Sequence, residues 1–372
     1  MKKLDIGLIG YGYIGKIHNI AYKAIPIIFP QYGDAYNLSS LISTKSQNLE
    51  NTGFNTLVSS IYDLKNENLD IVDICTPNFL HLDQSSSFIR KNSNIYCEKP
   101  MAVNLKEALQ LLDLAKEKEI ITQLALVYRF MPAISKAKAM IENNCIGEII
   151  NFRSQLFHSS YLDPNRAITW RLKKEMSGGG AISDLGIHLL DILVFLLGYE
   201  NIDKLRAEAN TIIKERPAES GEGMEEVDVE DWGLIILYLK NGAAGTIEVS
   251  KVSHNPYDTF EMEIYGTNGY IKISDKSPYE PIYSLYNPKN SKDTLEIIRT
   301  DDYINYLNSI YPNPKMSMGP MVDMHIASIL NMIINVSNNK VLNKETPTFE
   351  EGIKSQKLVE LAYLSVEEKI KN

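Results

Sequence analysis

Apolar and polar positions fall into two regimes along this chain. As far as Val127, short apolar runs alternate with segments of helical period. Residues 3–9, 36–42, 70–75, 94–97 and 121–127 read as strands, 94–97 as a buried one. Helices are expected from Lys16 and over His81 to Lys91. A further helix follows Asn104, whose side chain can cap it with Glu107 three residues on; Leu105, Ala108, Leu109, Leu112 and Ala115 then keep the helical period. Strands alternating with helices in this way predict a parallel, doubly wound sheet.

The pattern changes after Phe130-Met131-Pro132. A helix is expected over Ala133 to Asn143 and a strand over Ile149 to Ser159. Leu234 to Leu239 and Gly245 to Ser250 flank Asn241-Gly242, the strongest short hairpin signal. Glu261 to Tyr265 and Tyr270 to Ser274 flank a turn containing Asn268-Gly269. Strands that follow one another through turns predict an α+β domain with a large, mainly antiparallel, open-faced sheet. The proline-rich stretch 277–314 reads as loop, and helices are expected at Met321 to Val336 and Phe349 to Ile370. The expected domains are residues 1–127 and 128–372, which suits a length of 372 residues at roughly 150 per domain.

The first strand runs into Gly10-Tyr11-Gly12-Tyr13-Ile14-Gly15 and then a helix. A G-x-G-x-x-G run in that context is a dinucleotide-binding signal. Gly10 permits the tight turn, Gly12 lets backbone approach a pyrophosphate, and Gly15 lets helix and strand pack closely. Two later strands end at Thr76-Pro77-Asn78, with His81 beyond, and at Glu98-Lys99-Pro100. Strand C-termini are where open α/β sheets hold ligands.

In the second half, Ser177-Gly178-Gly179-Gly180 precedes Asp184 and His188, which share a face if a helix begins near Ala181. A histidine beside a carboxylate suits general-base work, and the glycines would let backbone pass close to a ligand. A metal held with Asp191 is a rival, but no other His or Cys lies near in sequence, so no metal is expected. Trp170-Arg171 offers an aromatic wall and an anion-binding fork. His18 reads as a partly exposed helix residue. His158, His254 and His325 have no carboxylate at a telling spacing.

Charge narrows the partners. The net charge is −9, of which residues 215–231 contribute −7 and read as a solvated acidic loop. The remaining body has no basic excess to draw it onto nucleic acid. No apolar run reaches the roughly 18 residues of a membrane span, and the N-terminal lysines meet Asp5 and Gly7 at once, unlike a secretory signal. Cys75, Cys97 and Cys145 are too scattered for a disulfide or zinc framework, so a reducing, cytoplasmic setting is expected.

These motifs, in this order, resemble the Gfo/Idh/MocA oxidoreductases. The resemblance runs from the glycine motif through Asp73-Ile74-Cys75-Thr76-Pro77-Asn78, Glu98-Lys99-Pro100, Tyr128-Arg129-Phe130, Ile146-Gly147-Glu148, Trp170-Arg171, the triple glycine with Asp184 and His188, and Tyr265-Gly266-Thr267-Asn268-Gly269. It implies an N-terminal Rossmann domain, an open-faced β-sheet domain that builds dimers or tetramers, and a nicotinamide-dependent sugar, polyol or cyclitol dehydrogenase. Lys99, Asp184 and His188 match the family's catalytic trio. The implied cofactor contacts are Gly10, Gly12, Tyr13, Ile14, Gly15, Ser43, Thr44, Lys45, Thr76, Pro77, Asn78, His81, Glu98, Lys99, Trp170 and Arg171. One departure concerns the second strand, which ends in Ser43-Thr44-Lys45 where NAD-preferring members place an acid; this favours NADP over NAD. Two rivals on the same fold are an NAD-dependent glycosidase and a non-catalytic ligand sensor, and retention of both Lys99 and His188 argues against the sensor.

Overall fold

The computed structural model describes residues 3–64, 68–254, 259–286 and 291–370. Met1 and Lys2 of the N-terminal reading, and Pro288 of the expected loop, lie outside the described residues. The chain divides into two compact units.

The first unit holds six parallel strands: β1 (Leu4–Ile9), β2 (Tyr36–Ile42), β3 (Thr56–Val58), β4 (Ile71–Ile74), β5 (Asn94–Cys97) and β6 (Thr122–Leu124). Their order is β3-β2-β1-β4-β5-β6, the doubly wound arrangement with its switch point between β1 and β4. Ile6, Leu8, Leu41, Val72, Ile74, Ile95 and Leu124 are fully buried, as expected of strands covered on both faces. The helix Leu105–Glu117 starts as its sequence dictates, with Asn104 Oδ1 accepting from Glu107 N at 2.9 Å. β3 escaped the hydrophobic pattern because it is three residues long and only half-buried.

This unit differs from the expected span of 1–127. It runs to Phe130 and also takes in Tyr306–Ile353, while Met131–Asn305 and Lys354–Asn372 form the second unit. The returning helix Pro320–Ser337 is buried over most of its length, and its polar positions belong to the first sheet's network. Ser328 Oγ lies 2.8 Å from Tyr96 Oη, Gln123 Nε2 donates to the Ser328 carbonyl at 2.8 Å, and Asn331 Nδ2 donates to Gln123 Oε1 at 2.8 Å. Strand periodicity carries no information about such a return.

The second unit is built on a seven-stranded sheet: β7 (Ile149–Phe157), β8 (Ile202–Asn210), β11 (Trp232–Leu239), β12 (Ala244–Ser250), β13 (Thr259–Gly266), β14 (Gly269–Ser274) and β15 (Ile282–Leu285). A separate pair, β9 (Glu215–Pro217) and β10 (Met224–Glu226), lies between β8 and β11 in sequence. The large sheet has the order β15-β14-β13-β7-β12-β11-β8 and is antiparallel except for the pairing of β7 with β12. Asn241-Gly242 turns the β11–β12 hairpin, with Gly242 at φ +89. Ile235, Leu237, Ile247, Val249, Met262 and Ile264 are buried on one face. The opposite face keeps Leu234, Ile236 and Tyr238 half-buried and Ile150 exposed. The apolar helix Ile187–Leu197 is buried at every residue, as a core helix is.

Two expectations change here. The stretch 277–314 contains β15 and the helices Ser291–Thr300 and Asp302–Ile310. Its described prolines lie at the flanks, and Ile304, Leu307 and Ile310 bury one helical stripe. β8 was missed because it is an edge strand with Ala207 its one buried residue, so no alternation marks it.

Candidate active site

In the first unit the glycine motif behaves as its spacing requires. Gly10 sits at φ +90, and a Cβ there would lie 2.8 Å from the Cys75 carbonyl. A Cβ on Gly15 would lie 2.0 Å from the Gly10 carbonyl, so helix and turn close onto each other only through glycine. Nothing lies within 4 Å of a Cβ built on Gly12. The helix Tyr13–Ile28 begins there with no side-chain cap. Open space over uncapped first-turn N–H groups is a cradle for a pyrophosphate, so these residues fit a dinucleotide.

The loops after β2, β4 and β5 all lie at the sheet's carboxyl edge. After β2, the Ser43 hydroxyl donates to the Lys45 carbonyl at 2.9 Å, while Thr44 and Lys45 are exposed. Thr76 Oγ1 donates to Gln84 Oε1 at 2.6 Å, and Asn78 is buried. His81, expected to contact cofactor, is fully buried, with Nδ1 3.0 Å from the Pro100 carbonyl and Nε2 2.9 Å from the Thr76 carbonyl. Its polar atoms are occupied in tying the loop after β4 to the loop after β5. Burial pulls its pKa down, against those carbonyls.

Glu98 likewise turns its carboxylate inward. Oε1 lies 3.1 Å from His18 Nε2 and 3.8 Å from His325 Nε2, and Oε2 accepts from the Lys99 backbone N–H at 3.1 Å. Burial opposes its charge, but the hydrogen bond from His18 and the nearby His325 ring hold its pKa well below the usual carboxylate value. His18 is not partly exposed: it is completely buried, with Nδ1 2.9 Å from Asp73 Oδ2. Burial would lower its pKa, yet Asp73 and then Glu98 outweigh that and raise it to about 10. His18 therefore stands as an imidazolium between two carboxylates. Tyr22 Oη adds a donor to Asp73 at 3.0 Å. Among the described residues, His18, Glu98 and His325 bring ligating atoms within 4.8 Å of one another, as do His18, Asp73 and Cys75. With both ring nitrogens of His18 already held by carboxylates, the arrangement is that of a protonated bridge. Lys99 itself is half-buried beside this network.

In the second unit, Asp184 lies on a π-helical turn, Ile182–Gly186, that feeds the helix Ile187–Leu197 carrying His188. Such turns inside a helix are frequent at functional sites. Asp184 Oδ2 is 3.1 Å from Lys251 Nζ, and His188 is nearly buried. Two of the glycines before the turn are required by packing: a Cβ on Gly179 would lie 2.0 Å from Tyr363 Oη, and one on Gly180 1.8 Å from the Glu230 carbonyl. Glu230 caps the turn. Its carboxylate accepts from Gly180 N at 3.1 Å, Ile182 N at 2.8 Å and Tyr363 Oη at 2.8 Å. Burial raises its pKa, and those bonds pull the other way. Trp170 and Arg171 are half-buried, with the guanidinium 4.3 Å from the ring centroid.

The acidic run 215–231 is thus only partly a solvated loop. Arg216 is 1% exposed, Glu230 8% and Asp231 3%, and Asp231 accepts from Ile212 N and Ile213 N at 2.9 Å each. The local signal was the pair Val227 and Val229, both buried, alternating within the charges. Asp73, His325, Tyr363 and Lys251 were also missed, because their partners are distant in sequence.

A glycine cradle and a strand-end lysine on a doubly wound sheet, with a carboxylate and an imidazole on a separate α+β unit, define a two-domain dinucleotide-dependent dehydrogenase. Residues 4–126 match the model of the oxidoreductase family with NAD-binding Rossmann fold, and residues 134–272 match the Gfo/Idh/MocA C-terminal domain. The chain belongs to the Gfo/Idh/MocA family and is a nicotinamide-dependent oxidoreductase. It is 30% identical to levoglucosan dehydrogenase of Pseudarthrobacter phenanthrenivorans over 86% of each chain. It is 27% identical to glucose-6-phosphate 3-dehydrogenase of Bacillus subtilis over 98% of this chain and 96% of that one. Among solved structures, levoglucosan dehydrogenase in complex with NADH and L-sorbose superposes with a TM-score of 0.86 at 26% identity, covering 99% of this chain and 98% of that one.

The His18 bridge makes stability depend on pH. The unfolded imidazole loses its proton near its ordinary value of about 6.5, while the folded one keeps it to about 10. Its contribution is complete below about 6.5 and is lost as pH rises through about 10. Chemical denaturation from pH 6 to 10 should therefore show falling stability that flattens in His18→Gln, which is also less stable at pH 6. Parallel pH profiles for the two proteins would refute the charged bridge.

Proposed function

We propose that this enzyme transfers hydride between NAD(P) and a secondary hydroxyl or carbonyl of a sugar, polyol or cyclitol. The carrying observation is the chemistry of the two units. One offers Lys99 after β5, at the same carboxyl edge of the sheet as the open glycine cradle. The other offers Asp184 and His188 on a clamped turn. Relatives named for levoglucosan, glucose 6-phosphate and myo-inositol dehydrogenation place the reaction on carbohydrate-like alcohols.

In oxidation, His188 takes the hydroxyl proton as general base. Lys99 donates a hydrogen bond to the same oxygen and offsets the charge that develops there. Asp184, held as an acceptor, orients the hydroxyl. The nicotinamide, when bound, supplies the hydride acceptor or donor. Reduction reverses these roles. Lys99→Ala and His188→Ala should each lower kcat by roughly 100-fold or more while cofactor affinity persists. A panel of sugars and polyols followed by NAD(P)H absorbance measures this, and near-normal turnover in either variant would sink the mechanism.

The cofactor preference proposed is NADP(H). No acid stands among Ser43, Thr44 and Lys45 at the strand end to repel a 2′-phosphate there, and the exposed Thr44 and Lys45 offer a hydroxyl and a cation. Ser43 contributes less than its position promised, because its hydroxyl is engaged with the Lys45 carbonyl. Calorimetric titration should give NADP(H) the tighter binding, with Ser43→Asp reversing the order. Equal or tighter binding of NAD(H) by the parent protein would reject this preference.

The outer face of the second sheet supports a homodimer or homotetramer. Strand β11 is apolar on both faces, and Ile150, Ile236 and Tyr265 line an open depression there beside the paired charges of Arg153 and Glu263. Open sheet faces of this kind are usually polar, so a covering partner is expected. Light scattering at micromolar concentration should return a dimer or tetramer mass; a monomer would count decisively against this.

A further inference from the structure

Lys251 stands just past the end of β12 and is 2% exposed, although lysine is almost never buried without a partner. Its backbone is pinned on both sides: its N–H donates to the Asp231 carbonyl at 2.8 Å, and its carbonyl accepts from Tyr161 N at 3.0 Å. The side chain then runs beside the Tyr161 ring, 5.6 Å from the centroid, to bring Nζ 3.1 Å from Asp184 Oδ2. No hydrogen-bond acceptor otherwise meets that ammonium among the described residues. A buried amine in this position costs solvation that a single carboxylate offsets only in part, so the arrangement is unfavourable as a device for stability alone. Asp184 itself is partly open. The pair therefore joins a buried cation to an acid that still faces outward.

We infer that Lys251 is a positioning residue of the reaction: it keeps Asp184 ionised and aimed, so that this carboxylate accepts from a substrate hydroxyl and does not compete with His188 for the proton. This rests on the reading of Asp184 as the substrate-orienting carboxylate. Glu230, from the segment before β11, adds negative charge near the ammonium and spends its oxygens on Gly180, Ile182 and Tyr363. Asp231 is committed to Ile212 and Ile213. Arg216 lies by the same tyrosine ring but donates to the Asp163 and Tyr161 carbonyls. His188 lies on the helix that continues the turn. A neutral side chain at 251 would remove the cation that lies 3.1 Å from Asp184 Oδ2, which favours the protonated form of that carboxyl.

The test compares the parent enzyme with Lys251→Met, which keeps the length of the stem, and Lys251→Arg, which keeps the charge. Carbon NMR of the Asp184 carboxyl in the sugar-free protein should show its titration moving upward by about one pH unit or more in Lys251→Met, and recovering in Lys251→Arg. The acidic limb of the kcat/KM profile should move with it, and KM for the sugar should rise about tenfold or more, the loss of a charge-assisted bond, while cofactor affinity stays unchanged. An unmoved carboxyl titration overturns the inference, and so does a moved titration with an unmoved acidic limb. Should Lys251→Met fail to fold, as judged by lost cofactor binding, Lys251→Gln takes its place with the same two readings. The carboxyl titration needs no substrate. A failure of the dehydrogenase reading would instead appear as no NAD(P)H turnover by the parent enzyme on any sugar or polyol, whatever Lys251 does.

Discussion

A positively charged imidazole sealed between two carboxylates organises the first unit. His18 comes from the helix after the glycine motif, Asp73 from β4, Glu98 from the end of β5, and His325 from the returning helix Pro320–Ser337. Four elements far apart in sequence meet at one charge. Removing His18 would leave two carboxylates buried without the cation between them, so the elements that carry these groups depend on one another. Through Glu98 Oε2 and the Lys99 N–H, the network ends on the backbone of the proposed catalytic lysine. Its position at the carboxyl edge of the sheet also places it beneath the loops that a dinucleotide would meet.

The second unit solves the same problem with a different acid. Asp184 and His188 need a turn that holds its shape, and the three glycines before it have no side chains to hold it with. Glu230 supplies the grip by collecting two backbone N–H groups and a tyrosine hydroxyl. The glycines are small because Tyr363 and the Glu230 backbone press against them. Gly180→Ala would push a methyl into the Glu230 carbonyl and disturb the cap along with the turn. Glycine here signals close protein packing, where its pattern alone had pointed to a ligand.

The strands of both sheets were legible from hydrophobic runs, because β1, β4 and β5 are buried on both faces and β11 to β14 follow turn signals. The glycine cradle was legible because its three constraints lie within six residues. The proposed trio rests on resemblance, since nothing local connects Lys99 with Asp184 and His188. What could not be read was every contact made across sequence distance. His18 looked like a helix-surface residue because Asp73 and Glu98 are 55 and 80 positions away. Glu230 and Asp231 looked solvated because charge runs usually are, and only Val227 and Val229 betrayed burial. The return of Tyr306–Ile353 to the first unit leaves no mark in periodicity, since a helix packed on its own unit and one packed on an earlier unit carry the same stripe.

These buried acids share a logic that bears on function. Glu98 and Glu230 each accept backbone N–H groups at the loop or turn that carries a proposed catalytic side chain, and neither carboxylate is free to touch substrate. A hydrophobic residue of the same volume would be the easier choice for stability, because a desolvated carboxylate costs several kcal/mol before its bonds are counted. What the acid adds is direction: its oxygens accept only along defined lines, and so they fix the backbone angle at Lys99 and at Ile182 more tightly than packing would. A hydride transfer needs donor carbon, acceptor carbon and base held to within a fraction of an ångström, and small misplacements are costly in rate. Charged cores in both units are therefore understandable as the means by which glycine-rich, otherwise compliant turns are held to the geometry that the chemistry demands.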